Sequence, residues 1–600
     1  MSVIYRIARS AALASVLLPS AVTASIIGVG EVEPTGLVGT TNSNVAVTGQ
    51  NITVGRNVVG SLTVNGGNIL SSDRGSNIGR NVGSNGSLLV SGPGSQFNLI
   101  GIQPNGDGAF WNIGAAGTAT IRIENGGRAL VDGTGATTNP VLNLGGSGLS
   151  GIGGNGSMEV VGAGSSVTLT GPNTSRLNVG RSATGSLLVD QGGNVTINSG
   201  DFGGLVVART SPSGSAPGTG AVVVDNGSSV VVNSPDGRVE VGQTGAGTMT
   251  VRGGSTVLQN TGFLRIGNEA GSVGVLNVSG PGARYDLTGV SAQNLGGIAE
   301  VGRSGEGTLN LDNGAELGLT SSGGSFVGMQ IGGTGSSTGG GTGTANVDGA
   351  TLRIESNVAL PFLNVGRNGV GALNISNGGV VDLSTANNDA VVDIGRAASQ
   401  GDVDVTGSQS VLRVDGDVTV GAGGTARARV AQSGRIEANN VSVGAGGVLT
   451  GDSLVAAAVT NYGTVRVGDG GAGELGIDGS YLQSGTGVLE LELLPADHDL
   501  LAVTGDALLD GILDLDVDTL LAASVQVGDT FTVLTAASVA GTFGSVLGAA
   551  LGGGMFFDVL YNQDNVQLIV AQSAPAPVTV VLFATGGLGV LVAGVRRRRT

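Results

Sequence analysis

Short runs of alternating aliphatic and polar residues recur along most of the chain, and glycine separates each run from the next. The pattern is plainest in residues 52–70, 177–197 and 363–383. In the second and third of these copies the alternating aliphatic positions are Leu177, Val179, Leu187, Val189, Val195 and Ile197, and Leu363, Val365, Leu373, Ile375, Val381 and Leu383. Because side chains alternate between the two faces of a strand, each run predicts a strand with one buried face.

The residues around these aliphatic positions define the outer face and the corners of the repeat. Asn178, Asn364 and Asn374 lie between aliphatic positions, which predicts that they point away from the core. The pairs Gly192-Gly193 and Gly378-Gly379 follow the strands and are expected at tight corners, because glycine accepts a positive φ and a close backbone approach.

Further copies of the repeat predict a stacked architecture. They are centred on Gly79, Gly114, Gly153, Gly242, Gly267, Gly302, Gly332, Gly395, Gly421 and Gly444. Neighbouring copies lie about 23–35 residues apart, a spacing typical of solenoids, in which each repeat buries its apolar face against the next. We therefore predict an all-β chain forming a β-solenoid of the parallel β-helix type, with about a dozen coils and a length on the order of 60 Å. A set of antiparallel β-sandwiches is the alternative, because Gly-Gly turns also suit hairpins.

Composition narrows the classes of protein. The chain has 115 glycines but only 14 prolines and no period of three, which excludes collagen. Its 44 acidic residues outnumber 27 basic ones, all of them arginine, and the net charge of −17 disfavours nucleic acid as a partner. The absence of cysteine excludes disulfides and thiolate metal sites.

Both ends of the chain carry signals of export. Residues 1–24 combine Arg6 and Arg9 with an apolar run and a small-residue ending, which predicts a signal peptide cleaved after Ala24. At the other end, residues 578–595 carry no charge, so they predict a membrane helix. The basic tail that follows, Arg596, Arg597, Arg598 and Arg599, is expected to stay on the cytoplasmic side.

The C-terminal segment resembles a PEP-CTERM sorting signal. The resemblance rests on Pro575, Ala576 and Pro577, on the sequence FATGGLGVLVAG (583–594) and on the four arginines. Ala576 stands where the PEP-CTERM motif has glutamate. The resemblance implies that an exosortase-like membrane enzyme processes the tail near Pro577. A plain C-terminal membrane anchor is the alternative.

The body of the chain resembles the repeats shared by autotransporter passengers and PEP-CTERM proteins. The matching segments include VEVGQTGAGTMTVRGG (239–254) and AEVGRSGEGTLNLDNG (299–314), and residues 481–570 resemble the region that closes many passengers. The resemblance implies a solenoid with a C-terminal cap. The expected divisions are a signal peptide (1–24), a repeat region (25–470), a cap (471–572) and a sorting tail (573–600).

No residue pattern calls for catalysis, a cofactor or a bound metal. Asp514, Asp516 and Asp518 alternate with aliphatic residues, so we predict that they lie on a solvated strand face. His498 has no nucleophile motif beside it, and we predict a structural role. Isolated turns such as Asp348-Gly349 do not form the tandem calcium-binding array of some β-rolls. Trp111 and the few other aromatic residues are expected to be too sparse for a stacking platform for bases or for an evident sugar-binding cleft.

These observations favour a non-enzymatic structural or adhesive protein of the cell envelope or extracellular matrix. Its expected partners are the tail-processing enzyme, the membrane through the C-terminal helix, and extracellular polysaccharide or other surface molecules, bound through many weak contacts. A polysaccharide lyase or hydrolase on a β-helix is the alternative from another class, and it requires acidic and basic side chains converging on one face. A passenger-like adhesin exported by a separate partner is a third possibility.

Overall fold

The computed structural model describes residues 24–101, 109–134, 139–147, 153–210, 217–291, 293–335 and 340–573. Regular structure in these residues is almost entirely β. It consists of 58 strands, one α-helix (α1, Thr519–Ser524) and one 3-10 helix (Thr35–Leu37).

The strands follow one another along the chain in three successive groups. The first group is β1 (Ser25–Gly30), β2 (Val32–Glu33), β3 (Gly39–Thr41), β4 (Val45–Val47), β5 (Ile52–Val54), β6 (Val59–Asn65), β7 (Ile69–Ser72), β8 (Ser76–Ile78), β9 (Asn85–Ser91), β10 (Gln96–Ile100), β11 (Phe110–Ile113), β12 (Thr118–Glu124), β13 (Arg128–Asp132), β14 (Val141–Leu144), β15 (Gly156–Val161), β16 (Ser166–Gly171), β17 (Arg176–Arg181), β18 (Thr184–Asp190), β19 (Asn194–Ser199) and β20 (Gly204–Arg209). The second group is β21 (Thr219–Val224), β22 (Ser229–Asn233), β23 (Arg238–Val241), β24 (Ala246–Arg252), β25 (Thr256–Gln259), β26 (Phe263–Ile266), β27 (Val273–Ser279), β28 (Arg284–Leu287), β29 (Ile298–Val301), β30 (Glu306–Asp312), β31 (Glu316–Ser321), β32 (Phe326–Ile331), β33 (Thr342–Asp348), β34 (Thr351–Ser356), β35 (Leu360–Arg367), β36 (Val370–Ser376), β37 (Val380–Ser384), β38 (Ala390–Arg396), β39 (Gln400–Thr406) and β40 (Val411–Val414). The third group is β41 (Gly416–Val420), β42 (Thr425–Ala431), β43 (Arg435–Val443), β44 (Gly447–Gly451), β45 (Leu454–Asn461), β46 (Thr464–Val467), β47 (Glu474–Ile477), β48 (Tyr481–Gln483), β49 (Val488–Leu493), β50 (Leu500–Val503), β51 (Asp506–Leu509), β52 (Ile512–Val517), β53 (Thr530–Thr535), β54 (Ser538–Gly541), β55 (Ser545–Leu547), β56 (Ala550–Gly552), β57 (Met555–Tyr561) and β58 (Asn565–Gln572).

Three parallel sheets run the length of the molecule, because every third strand from β6 to β42 pairs with the strand one coil away. The first sheet contains β6, β9, β12 and so on, the second contains β7, β10, β13 and so on, and the third contains β8, β11, β14 and so on. Beyond β42 the long strands β43 and β45 each span the second and third sheets, and the first sheet continues through β44, β46, β49, β52 and β55.

The strand register is continuous between coils. Leu187 on β18 is aligned with Met158 on β15 below it and with Val222 on β21 above it, and both pairings are parallel. Parallel pairing across coils confirms the predicted β-solenoid. The alternative of antiparallel β-sandwiches is wrong.

The core contains the aliphatic residues that the alternation identified. Leu177, Val179, Leu187, Val189, Val195 and Ile197 expose 1% of their surface or less, and their counterparts at residues 363–383 are fully buried. Most strands of each coil therefore contribute two inward-facing, mainly aliphatic residues to one uninterrupted core.

The corner after β18 shows why the repeat carries two glycines. Gly192 has φ +82°, a conformation that side chains disfavour, and Gln191 before it has φ +54°. Gly193 is required for a different reason, because a Cβ there would lie 2.3 Å from the Val160 carbonyl oxygen of the coil below. The predicted close approach of stacked backbones is therefore confirmed at this corner.

The solenoid has more coils than the repeat pattern predicts. In the described residues the first sheet has eighteen parallel strands, namely β6, β9, β12, β15, β18, β21, β24, β27, β30, β33, β36, β39, β42, β44, β46, β49, β52 and β55. Seventeen steps of about 4.8 Å give a length of roughly 80 Å. One coil is missing from the predicted repeats, because Ala208, with φ +60°, lies at the corner where the adjacent coils have Gly180 and Gly242. Four more coils lie beyond Gly444, where the repeat weakens.

Antiparallel strands cover both ends of the described solenoid. At the N-terminal end β1 pairs antiparallel with β6, and β2 pairs antiparallel with β5. At the C-terminal end β58 pairs antiparallel with β53 and β57. Such covering strands protect sheet edges that would otherwise template pairing with other chains. Parallel coils continue past residue 470 as far as β55. The domain boundaries given above remain predictions.

Neither of the two helices in the described residues has the length and apolar content needed to cross a membrane. The predicted membrane helix at 578–595 lies outside the described residues.

Candidate functional site

Most residues of the predicted export signals fall outside the described part of the chain. Pro575, Ala576, Pro577 and the basic tail Arg596–Arg599 are among them. Ala24, the predicted cleavage site, is the first described residue and is half-buried. It directly precedes β1, whose Ser25 donates from its backbone N–H to Asn65 Oδ1 at 3.0 Å.

The acidic strand LDLDVD is amphipathic, as predicted, up to Val517. Leu513 and Leu515 are buried while Asp514 is half-buried and Asp516 is exposed. Asp518 differs from the expectation, because the strand ends before it and its carboxylate caps helix α1. Its Oδ1 accepts from the backbone N–H of Leu520 at 2.7 Å.

His498 contacts strand β53. Its Nε2 lies 3.0 Å from the carbonyl oxygen of Thr532, and its ring lies edge-to-face against Phe531 with the ring centroids 5.6 Å apart. The next residue, Asp499, is fully buried and accepts from the backbone N–H groups of Gly473 at 2.8 Å and Glu492 at 2.6 Å. Burial raises the pKa of Asp499 to about 6.

Trp111 and Asp348 also have local roles. Trp111 is fully buried and packs against Phe97, with the ring centroids 5.1 Å apart. Asp348 accepts from Ser376 Oγ at 2.8 Å and from the side-chain amide of Asn377. Across the described ranges no group of three or more His, Asp or Glu side chains could hold a metal ion.

The outer side of the third sheet differs from the rest of the surface, because its central column of side chains is buried. At its N-terminal end this column is a ladder of asparagines, in which Asn112, Asn143 and Asn178 each donate to the asparagine below at 3.0, 2.8 and 2.8 Å. Asn178 and Asn364 point away from the core as predicted, yet they expose only 1% and 3% of their surface.

Further along this column lies an ion-paired triad, formed by Glu240, Arg265 and Glu300. Arg265 Nε donates to Glu300 Oε2 at 2.7 Å and Arg265 Nη1 donates to Glu240 Oε1 at 3.3 Å. The three side chains are at least nine-tenths buried. The parallel register places Glu240 opposite Arg265 and Arg265 opposite Glu300 on successive coils, so the signs alternate.

Next to the triad lies an arginine cluster, formed by Arg176, Arg181, Arg209 and Arg238. Arg181 is directly opposite Arg209 in the register, so two like charges face each other on adjacent strands. In the described residues none of the four makes an ion pair. Burial lowers the pKa of Arg176 and of Arg181, and the neighbouring Arg209 guanidinium lowers both further.

Three of these arginines, Arg176, Arg209 and Arg238, line a basic cleft of about 290 Å³. Its remaining lining residues are Thr174, Phe202, Gly203, Gly204, Val206, Glu240 and Gln243. The Arg238 guanidinium carbon lies 5.6 Å from the centroid of the Phe202 ring. Burial lowers the pKa of Arg238, and Arg265 lowers it further.

A second, more apolar depression continues along the same face and has a volume of about 480 Å³. We call it the aromatic groove. Phe263, Phe326 and Phe362 line it, and the last two rings meet edge-to-face with centroids 6.4 Å apart. Arg367, Asp393 and Arg396 lie at its far end. Part of the small aromatic content of the chain is therefore concentrated on one face.

The sequence contains a signal for this arginine-rich face that the alternation of aliphatic residues does not reveal. Arginine follows the corner residue in several copies of the repeat, at Arg56, Arg80, Arg181, Arg209, Arg303, Arg367 and Arg396. Residues at one position of a solenoid repeat stack on one face, so a recurring arginine predicts a basic stripe.

No family model matches the chain, and no curated protein matches it. Among solved structures, the chain is similar to a fragment of TibA, residues 55–350, hyper-glycosylated by TibC. The identity is 16%, the match covers 74% of this chain and 96% of that one, and the TM-score is 0.21.

Proposed function

We propose that the protein is an exported, non-enzymatic structural or adhesive protein of the cell envelope or its extracellular matrix. The observation that carries the proposal is the uninterrupted core through eighteen stacked coils, which makes a long scaffold with repeated outer faces. Such a scaffold is stabilised by contacts between neighbouring repeats and needs no disulfides. The absence of cysteine is consistent with that architecture.

The first sheet illustrates how the scaffold repeats a polar surface. Asn310, Asn346 and Asn374 each donate to the asparagine of the preceding coil at 2.8 Å, starting from Asn277. The rungs lie on consecutive coils, about 4.8 Å apart. A partner with its own repeating surface can make many weak contacts with such an array at once, and these contacts sum to useful avidity.

The two predicted end signals support the location. In this proposal, cleavage after Ala24 and a sorting tail that resembles PEP-CTERM segments would both deliver the solenoid to the outer side of the inner membrane. In this proposal an exosortase-like enzyme processes the tail near Pro577. A permanent anchor at 578–595 and export by a separate partner are the alternative routes to the same side of the membrane.

Cell fractionation of the native host tests the proposal. We expect the full-length protein at the surface or in the matrix, and a chain lacking residues 575–600 in the medium or mislocalised. A wholly cytoplasmic protein would contradict the export proposal, and unchanged surface retention of the truncated chain would contradict the role of the tail. Intact mass of the surface-extracted protein checks both predicted processing sites.

A second candidate function is cleavage of a polysaccharide. The observation that favours it is the convergence of acidic and basic side chains on one face, where Glu240 lines the basic cleft with three arginines. Purified protein incubated with acidic polysaccharides should then release new reducing ends, and Glu240→Gln should abolish their release in a folded variant. Intact polysaccharide after incubation with wild-type protein would reject this candidate.

A further inference from the structure

We infer that the basic cleft binds an acidic sugar chain, and that the arginine cluster receives a carboxylate or sulfate group of that chain. The inference goes beyond the proposed function and does not depend on where the protein resides, since it rests on the charge and shape of the cleft. A failed localisation experiment and a failed binding experiment therefore remain distinguishable.

The charges in the cleft do not balance. Among its described lining residues Glu240 is the only carboxylate, against Arg176, Arg209 and Arg238. Glu240 is already engaged, because it accepts from Arg265 at 3.3 Å, Asn268 at 3.2 Å and Gln243 at 2.6 Å. The cleft therefore holds three guanidinium groups with no free carboxylate to neutralise them.

Two members of the arginine cluster, Arg181 beside the cleft and Arg238 within it, are partly buried and each has one donor without a partner. Arg181 also donates from Nη1 to Asn143 Oδ1 at 3.2 Å. The Nε atoms of Arg181 and Arg238 are inaccessible to solvent and have no partner in the described residues. Burying a cation without an anion costs free energy. A folded protein can retain such a cation when an anion from outside binds to it and offsets that cost. The planar guanidinium group binds carboxylate and sulfate oxygens in a forked geometry.

The floor of the cleft leaves room for such a group. Gly204 lies in the register between Arg176 on the coil below and Arg238 on the coil above. The two arginine positions are thus two strand spacings apart, about 10 Å, with no side chain between them at the floor. An oxyanion in the cleft lies among the side chains of Arg176, Arg209 and Arg238, which line it from three successive coils.

The surface beyond the cleft favours a chain of sugars over a small anion. The aromatic groove continues along the same sheet, and five coil steps separate β20 from β35, a distance of about 24 Å. Exposed aromatic rings such as Phe326 suit the apolar faces of sugar rings. Arg367 provides a further cation, whereas Arg396 is already paired with Asp393 at 3.0 Å. Only a ligand that alternates apolar faces with acidic groups can contact both the basic cleft and the aromatic groove.

Overall charge separates this ligand class from nucleic acid. The chain carries a net charge of −17, which repels polyanions at long range. Screening reduces that repulsion beyond about 10 Å at ordinary salt concentrations, so a local cluster can still bind a chain of spaced charges. Duplex DNA carries one charge per about 1.7 Å of its axis, so this denser line of charge loses more from the acidic surroundings.

Binding to the purified full-length chain, measured by titration calorimetry, tests the inference. The probes are polygalacturonate and dextran sulfate, neutral dextran, monomeric galacturonate, sodium sulfate and duplex DNA. We expect binding of at least one acidic polysaccharide, none of neutral dextran, and at least about tenfold weaker binding of the monomer and of sulfate, because these probes contact only the cleft.

Matched variants locate the site. Arg209→Gln with Arg238→Gln should weaken binding of the acidic polysaccharide at least about tenfold, whereas Arg252→Gln with Arg466→Gln should change it less than about threefold. Both pairs remove two positive charges, but Arg252 and Arg466 lie on the first sheet in ion pairs with Asp225 and Glu490. Arg209→Lys with Arg238→Lys should bind with intermediate affinity, since lysine keeps the charge and loses the fork.

A single variant provides a second test that does not depend on whether the double variant folds. Arg209→Glu introduces a carboxylate opposite Arg181, so it should fold normally and still abolish binding. Equal losses in the two double variants, tighter binding of duplex DNA than of any acidic polysaccharide, or sulfate binding as tightly as the polymers would each overturn the inference.

Discussion

Two groups of charges, one buried and one half-buried, lie on neighbouring coils of the third sheet, and only the buried group is compensated by ion pairs. In the triad, Glu240, Arg265 and Glu300 alternate in sign along one column, and every charge has a partner. In the arginine cluster, Arg181 faces Arg209 and no carboxylate pairs with either in the described residues. The same parallel register produces both arrangements, so the difference arises only from the side chains that each coil supplies.

The comparison distinguishes charges that stabilise the fold by pairing with each other from charges that have no ion-pair partner in the described residues. A parallel solenoid places equivalent positions of successive coils about 4.8 Å apart, so the sign sequence along a column determines whether neighbours attract or repel. Charges that alternate in sign along a column stabilise the stacking of the coils, whereas neighbouring charges of the same sign destabilise it unless an external ion binds. Changes in the triad should therefore lower stability, and changes in the cluster should affect binding.

The largest effect is expected from breaking the triad. Arg265→Met would leave the buried Glu240 without an ion-pair partner and Glu300 with only the more distant Arg303 at 3.6 Å, which we expect to cost about 3–5 kcal/mol of local stability. Hydrogen exchange of β23, β26 and β29, together with the melting temperature, measures this loss. Arg252→Met is the matched control, because its ion pair with Asp225 is 56% exposed on the arginine side and should contribute at most about 1 kcal/mol. Equal destabilisation by the two variants would show that the triad is not a stabilising unit.

Asp499 is the opposite case to the arginine cluster, because it is a buried acidic group whose carboxylate accepts hydrogen bonds from backbone N–H groups. Burial raises the pKa of Asp499 to about 6 against the opposing effect of the backbone hydrogen bonds from Glu492 and Gly473, which lower it. The Glu492 carboxylate raises the pKa and His498 lowers it, each by less. Because the folded pKa lies above the unfolded value near 3.9, stability falls as pH rises from about 4 to about 6, by about 3 kcal/mol in total.

Melting curves at pH 4–7 of the wild-type protein and of Asp499→Asn test this prediction. The difference between the two proteins isolates this residue from the other acidic groups, and the pH dependence of the variant should be flatter in that window. Parallel curves would mean that the two backbone N–H donors hold Asp499 ionised throughout.

The asparagine ladders extend the comparison to uncharged columns. Asn143→Ala should leave the buried amide of Asn178 and the carbonyl of Asn112 without partners, at a cost of about 1–3 kcal/mol. Asn346→Ala interrupts a ladder on the solvated first sheet, where water can replace the lost bonds, and should cost less than about 1 kcal/mol. Thermal melts that rank the two variants in the reverse order would contradict the assigned burial.

The aliphatic alternation of residues such as Leu187 and Val189 was enough to predict the strands, the core and the stacking of coils. It did not predict the number of coils, because Ala208 adopts a glycine-like φ of +60° that its identity does not reveal, and because the repeat weakens in the four coils beyond Gly444. It also could not distinguish parallel from antiparallel pairing, since alternation within a strand is the same for both.

The arginine cluster escaped prediction for a different reason. Alternation places Arg176 and Arg238 on an outer face, but their proximity depends on which residues align across coils. Loops of unequal length separate the coils, so that alignment is not fixed by a constant sequence spacing. Burial of Asn178 on the same face is likewise a property of the stacked column rather than of its own strand.

The smallest expected effect on stability has the opposite sign to the others and tests the comparison most directly. Arg209→Glu converts a like-charge pair with Arg181 into an opposite-charge pair on adjacent strands, which we expect to stabilise the protein by about 0.2–1 kcal/mol. Thermal melts at low ionic strength should show a higher melting temperature, and the gain should shrink in about 1 M salt because salt screens partly exposed charges. Arg209→Gln should give a smaller gain, since it only removes the repulsion. A lower melting temperature for both variants at low salt would show that Arg209 is already compensated in the folded protein, and the arginine cluster would then resemble the triad.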